Sequence, residues 1–314
     1  MSIFYKKISA FFLVTFFILL SSYSYSMSNL QRIDFKERKF IEKTIDELNS
    51  TAKDPYAASL PLIMSAGLGD KKRYALSSQT MLFTLASLDE KPLHFPEWMR
   101  SQSFKAWMWG RLLLAADSVG DKKLINQSEQ QLSSLLSNKN KDSLAFFTWA
   151  QAYHAAFNKM SYDKYKIAML KNAVILTNNA KKHPENHGAL SDALWAWVMN
   201  LSAAAMMNDQ DSYIMIKKQI RALTNAKSVT ESLEMGLVRT ADSNDYPAWA
   251  LGKVRLAAAK MHDHALYHEM NEIVQSSIAG AKEAGAKAEY GLAVIENQLA
   301  REAHQLMMAN RVKR

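Results

Sequence analysis

Apolar positions along the chain recur at three- and four-residue steps, the period that puts side chains on one face of an α-helix. After Gly120 the stripe is Leu124, Ile125, Leu132 and Leu136, and after Asn208 it is Tyr213, Ile216, Ile220 and Leu223. Each stripe follows a segment that opens on large aromatics, turns alanine-rich and stops at a Gly-Asp or Asn-Asp pair. This order predicts a helix, a tight turn and a second helix, with alanines where two helices approach closely and glycine or asparagine as a helix stop. Two further helices are predicted at the ends. Gln31–Asn49 is charged on most faces, and in Lys287–Ala309 Tyr290, Val294, Leu299 and Leu306 are mixed with charges. Both read as caps on a stack.

The hairpins are copies of one another. Trp107-Met108-Trp109, Ala115-Ala116 and Gly120-Asp121 recur as Trp195-Ala196-Trp197, Ala203-Ala204 and Asn208-Asp209 with every spacing kept. Trp249, Ala257-Ala258 and His262-Asp263 fit the same frame, as does Phe147-Thr148-Trp149 with Ala155-Ala156, whose turn falls at Met160-Ser161. Gly69-Asp70 with Tyr56 supplies the most N-terminal copy. About five hairpins are therefore expected between residues 55 and 284, at irregular intervals because loops such as Asp89–Trp98 and Lys181–Gly188 differ.

Composition supports helices and adds a destination. Only 10 Gly and 6 Pro occur in 314 residues, well below the usual ~7% and ~5%, and too few for the many turns of a sheet protein. Lys6 and Lys7 precede an apolar run from Ile8 to Leu20, short for a membrane span, and Ser24 and Ser26 offer the small-x-small pattern of a signal peptidase site. Residues 1–26 are thus expected to be a bacterial signal peptide cleaved near Met27. Residues 27–314 would then form one helical domain in the periplasm or outside the cell, with no transmembrane segment after cleavage. With no cysteine, the chain carries no lipoprotein anchor, disulfide framework or thiolate metal site. Cleavage takes the net charge from +9 to +7. That excess lies mainly between Arg100 and Lys182 and suits a solvated surface or an acidic polysaccharide; no nucleic-acid partner is expected.

With an aromatic early in the first helix, small residues late in it and a Gly-Asp turn, the stretch from about Pro55 to Gln275 resembles the tetratricopeptide type of α-solenoid. The resemblance implies an irregular open stack whose concave groove holds a protein or peptide partner in the cell envelope. The units are longer than the ~34 residues of that family and lack its closing proline; the alternative architecture is a closed α/α toroid.

No phosphate-binding Gly loop, nucleophile elbow or His-Glu-x-x-His helix is present. One looser pattern is Asn186-His187, then Trp195, Trp197 and Met199, then Arg239 and Tyr246. It is similar in order to periplasmic alginate lyases. In that family's chemistry Asn186 and Arg239 would neutralise a uronate carboxylate, with Tyr246 and His187 as base and acid. Here Gly188-Ala189-Leu190 replaces the aromatic pair expected after the His. A second cluster is His262, His264 and His268; His264 and His268 lie one helical turn apart and could share a metal, copper if Met261 joins. In each Trp-x-Trp pair the two rings point about 200° apart, so one is expected in the core. Trp109, Trp149 and Trp197 are assigned to packing, and Trp107 and Trp195 to an exposed binding groove. The function expected is a non-catalytic interaction scaffold needing no cofactor, with a polysaccharide lyase and a metal-binding protein as alternatives.

Overall fold

The computed structural model describes residues 33–90, 95–137, 142–238 and 248–312, and every regular element among them is a helix. None of these helices is long and apolar enough to cross a membrane. Residues 1–26, Arg239 and Tyr246 lie outside the described residues. The helices are α1 (Phe35–Thr51), α2 (Pro55–Gly67), α3 (Lys71–Ser87), the short α4 (Glu97–Arg100), α5 (Gln102–Val119) and α6 (Lys122–Ser137). They continue as α7 (Leu144–Phe157), α8 (Lys159–Lys182), α9 (His187–Met206), α10 (Gln210–Thr224) and α11 (Val229–Leu233), which runs into a π-turn at Glu234–Val238. The last three are α12 (Ala248–Lys260), α13 (His264–Glu283) and α14 (Lys287–Val312).

Four hairpins share one turn, and its chemistry is written in the repeated dipeptide. The first residue is left-handed: Gly69, Gly120, Asn208 and His262 have φ of 65°, 74°, 54° and 57°. That conformation lets the next amide reach back five residues, from Asp70 to Ser65, Asp121 to Ala116, Asp209 to Ala204 and Asp263 to Ala258, at 2.9–3.0 Å. In three of the four the second alanine of the repeated pair supplies the accepting carbonyl, and in the first Ser65 does. The aspartate then caps the following helix, one carboxylate oxygen accepting from the amides of Arg73, Leu124, Ser212 and Leu266 respectively. In three turns the other oxygen accepts the hydroxyl of a tyrosine in the preceding unit: Tyr74 to Asp121 (3.3 Å), Tyr162 to Asp209 (2.8 Å) and Tyr213 to Asp263 (3.1 Å). One side chain therefore starts a helix and ties two hairpins together. Between α7 and α8 this device is missing. The turn falls at Asn158, whose side chain caps α8, and Met160-Ser161, expected as the turn, lie inside the helix.

The contacts between helices form a cycle. α2, α5, α7, α9, α12 and α14 each pack against the next, and α14 packs back onto α2. α3, α6, α8, α10 and α13 lie outside, each on its own inner partner, and α1 covers the seam by packing on both α2 and α14. Six inner helices in a closed ring are the arrangement of a toroid; an open stack of five hairpins with a cap at each end would lack the last contact. α14, expected as a cap, is the sixth inner helix. Its inward face escapes an apolar periodicity because it buries Glu296, Asn297, Gln298 and Glu302 alongside Leu292, Ala293 and Ile295.

The seam has its own core, in which Ile41, Ile45, Met64, Leu68, Trp249, Tyr290 and Ile295 meet. Across it Lys287 pairs with Glu47 at 2.8 Å and the Tyr290 hydroxyl donates to Glu37 at 3.2 Å. Two glycines allow the backbones to come this close. A Cβ on Gly67 would stand 2.7 Å from Ile295 Cγ2, and one on Gly291 would stand 2.7 Å from Met64 Sδ.

These two sites make opposite forecasts. Ile295 is β-branched and cannot swing its Cγ2 aside, so Gly67→Ala is expected to cost about 1–3 kcal/mol in urea denaturation. Met64 bends easily, and alanine gains up to ~1 kcal/mol over glycine inside a helix, so Gly291→Ala should be close to neutral. Equal effects would remove the closure argument. For the turn, Asp209→Ala loses a cap and leaves Tyr162 and Lys166 without their acceptor. A loss of about 2–4 kcal/mol is expected, and a loss under 1 kcal/mol would show that the Tyr162–Asp209 tie contributes nothing.

Candidate functional site

Tyr56, Trp107, Trp195 and Trp249 each stand fourteen residues ahead of the capping aspartate of their own hairpin, Asp70, Asp121, Asp209 and Asp263. Equal spacing sets the four rings at a similar depth in the ring of helices, about 21 Å of rise from the turns. α7 has the odd turn, and Trp149 reaches the same belt from nine residues ahead of Asn158. The rings touch in sequence around the axis. Centroids are 5.8 Å apart for Tyr56–Trp107, 5.0 Å for Trp107–Trp149, 6.5 Å for Trp149–Trp195 and 5.9 Å for Trp195–Trp249, and Phe146 stacks on Trp107 at 5.1 Å and 9°.

This belt walls a cavity of about 260 Å³ to which all six inner helices contribute. Its lining residues lie mostly near the N-terminal ends of those helices, so it opens at that end. Arg111, Tyr153 and Met199 come from farther along their helices and form the floor, and Ser191, Asp192 and Glu289 add polar groups. Trp98 on α4, 49% exposed, stands at the entrance.

The floor is electrostatically filled by the protein itself. The Arg111 guanidinium lies 4.3 Å from the Trp107 ring centre, 5.1 Å from Tyr56 and 5.2 Å from Trp249. It is 2% exposed and donates through Nη1 to the Ser59 hydroxyl. The rings' negative faces stabilise this cation where water is excluded. Beside it Trp249 Nε1 and Lys253 Nζ both donate to Glu296 Oε1, at 3.1 and 2.7 Å. Asp192 is different. Burial alone pushes its carboxyl up to about 6, so at mildly acidic pH it is protonated and can donate as well as accept.

Trp107 and Trp195 both line this cavity. Trp195 is half-buried, but Trp107, expected to be exposed, is only 8% exposed, because closure of the ring turns the groove into an interior. Of the three tryptophans assigned to packing, Trp197 is fully buried with its Nε1 on Thr177 at 2.8 Å. Trp109 is half-buried against the core, and Trp149 is buried yet faces the cavity. Asn186 caps α9 through the Ala189 amide at 3.1 Å, and His187 is exposed at the first position of that helix. Their partners in the lyase pattern, Arg239 and Tyr246, lie outside the described residues. His262 is the exposed left-handed turn residue. His264 and His268 do come together, and the third member is His304 of α14. Arg111, Asp192 and Glu289 carry no local motif; only their inward register on helices that already hold an inward Trp could have pointed to them.

No protein-family model, no curated protein and no solved structure matches this chain.

The Asp192 carboxyl sets a pH dependence whose sign is fixed. Unfolded, it has its ordinary value of 3.8; folded, it sits near 6. Between about pH 4 and pH 6 the folded state holds a proton that the unfolded chain has released, so stability falls as pH rises through this window and levels off above it. The fall is at most about 3 kcal/mol. Asp192→Asn should flatten it and raise stability at pH 7, measured by urea denaturation at pH 4.5 and pH 7. The same slope in wild type and variant would refute the burial of this carboxyl.

Proposed function

We propose that this chain is an exported, non-catalytic binding protein whose aromatic cavity takes one uncharged ring of a larger ligand, a neutral sugar unit of a cell-envelope glycan. The observation that carries this reading is the belt of Tyr56, Trp107, Trp149, Trp195 and Trp249 around a cavity of about 260 Å³ with a few polar groups at its edges. Trp149 and Trp195, whose faces Arg111 does not cover, can stack on the C–H faces of a sugar, and Ser191, Asp192 and Glu289 line the same cavity as hydrogen-bond partners for its hydroxyls. A cationic ligand is disfavoured because Arg111 already occupies the inner faces of Trp107, Trp249 and Tyr56. A peptide laid along a tetratricopeptide-like groove would need an open concave face, and a ring whose last helix packs on its first has none. The scaffold reading is thereby narrowed from a protein partner to a saccharide. The export part of this reading is supported by the leader-like pattern of residues 1–26, and an exported protein would meet envelope glycans.

The test is a titration of tryptophan fluorescence with neutral hexose and N-acetylhexosamine oligosaccharides, and with uronate oligosaccharides in parallel. Saturable binding of a neutral series is expected, weakened at least tenfold, about 1.4 kcal/mol, in Trp195→Ala. No response to any neutral series would end this reading.

One observation favours a second reading. A carboxyl near pH 6 is suited to donate a proton to a leaving oxygen, and Glu289 is a second carboxylate of the same cavity. Glycan hydrolysis by this pair would release new reducing ends, and Asp192→Asn would abolish their release while binding persists. Incubation with alginate covers the lyase alternative, whose signature is an unsaturated, ultraviolet-absorbing product lost in both His187→Ala and Tyr246→Phe.

A further inference from the structure

α14 carries Glu289 at the aromatic cavity and, fifteen residues later and about 22 Å along the helix, His304. There it meets two histidines one turn apart at the start of α13. The ring nitrogens that His264, His268 and His304 present to one another all lie within 4.8 Å. His264 Nδ1 is 3.3 Å from His304 Nε2. We propose that these three imidazoles form a binding site for one divalent first-row transition ion of the zinc–copper class, separate from the aromatic cavity and independent of what that cavity binds.

The separation is the first argument. Two metal–nitrogen bonds of about 2.0–2.1 Å at a tetrahedral angle hold their nitrogens about 3.3–3.4 Å apart, the spacing of His264 and His304. His268 is exposed and its nitrogen lies within 4.8 Å of the other two, so a turn of its side chain is what the site requires for it to ligate at the same distance. The second argument is orientation. The Tyr267 ring stacks on His304 at 4.1 Å and 3°, which fixes the plane of that imidazole before any ion arrives. Tyr267 also lies edge-on to His268 at 5.3 Å. The third is ligand chemistry. Neutral imidazoles without a carboxylate suit zinc or copper and leave magnesium and calcium, which require oxygen, without a ligand set. A fourth position stays open to water on the exposed side.

Two features hold the affinity below that of closed structural sites. Arg255 lies 4.5 Å from the Tyr267 ring centre, and its charge opposes a cation. The outer nitrogen of His264, Nε2, is buried with no hydrogen-bond partner among the described residues. The outer shell that orients most metal-bound histidines is therefore incomplete, an effect of about 10- to 100-fold on affinity.

The same 3.3 Å contact would arise from a plain hydrogen bond between neutral rings, and the experiment separates the two. Chelator-stripped full-length protein is titrated with Zn²⁺ by calorimetry and with Co²⁺ by visible absorption. One ion per chain is expected, with the intense bands of four-coordinate Co²⁺. His268→Ala, at an exposed position, and His304→Phe, which keeps a ring against Tyr267, should each weaken binding at least tenfold and abolish those bands. His262→Ala should change neither. Unchanged binding in His268→Ala and His304→Phe, with circular dichroism equal to wild type, would overturn the site, as would loss of binding through His262 alone.

Discussion

Everything the molecule offers at its axis depends on one contact between distant parts of the chain, that of α14 with α2. Until it forms, the inner helices are an arc, and Trp249 and Tyr56 belong to opposite ends of it. Bringing them together joins residues nearly two hundred positions apart. The entropy of such closure grows only logarithmically with length, about 0.6 kcal/mol per doubling, so the cost lies less in distance than in fit. Fit is supplied by Gly67 and Gly291, which let the two backbones approach, and by the apolar seam of Ile41, Met64 and Ile295. Arg111 then makes use of the closed ring, since the faces it sits over, Tyr56, Trp107 and Trp249, come from both sides of the seam.

Away from the aromatic belt, buried polar side chains pair between helices. Arg255 donates to Asn297, Asn200 to the Met169 carbonyl and Asn172 to Gln151, all buried. Buried polar groups are costly unless paired. Asn172–Gln151 ties the two helices of one hairpin, whereas Arg255–Asn297 and Asn200–Met169 join successive units, so register between units is set by hydrogen bonds as well as by packing. α14 carries buried polar groups of the same kind. A helix whose inner stripe is Glu296, Asn297 and Glu302 has no simple apolar face, and its sequence looks like that of a solvated cap.

What could be read from the sequence was local chemistry, and what could not was partnership at a distance. The turn residues Gly120-Asp121 and Asn208-Asp209 do locally what their types dictate, which is why the hairpins and their alanine pairs emerge from spacing alone. The aromatic frame was legible too, but not which face of each Trp-x-Trp pair turns inward. Trp107 and Trp109 differ only in where the neighbouring helices stand, and closure decides that. Asn158 replaces the left-handed turn with a direct cap, and the spacing frame therefore misplaces the α7–α8 turn by a few residues. His304 shows the same limit: nothing near it in sequence marks it as the companion of His264 and His268, and only packing of α14 on α13 brings it there.

Open repeat arrays lose structure from their ends, because a terminal unit is held by one neighbour and its departure leaves the others intact. A ring has no such unit. Each of the six inner helices here is held on two sides, and α1, the first described helix, lies across the seam. Removing any hairpin opens the circle and leaves both of its neighbours without one packing partner. Unfolding therefore proceeds as one cooperative event, and a lesion at any turn is felt around the whole circumference.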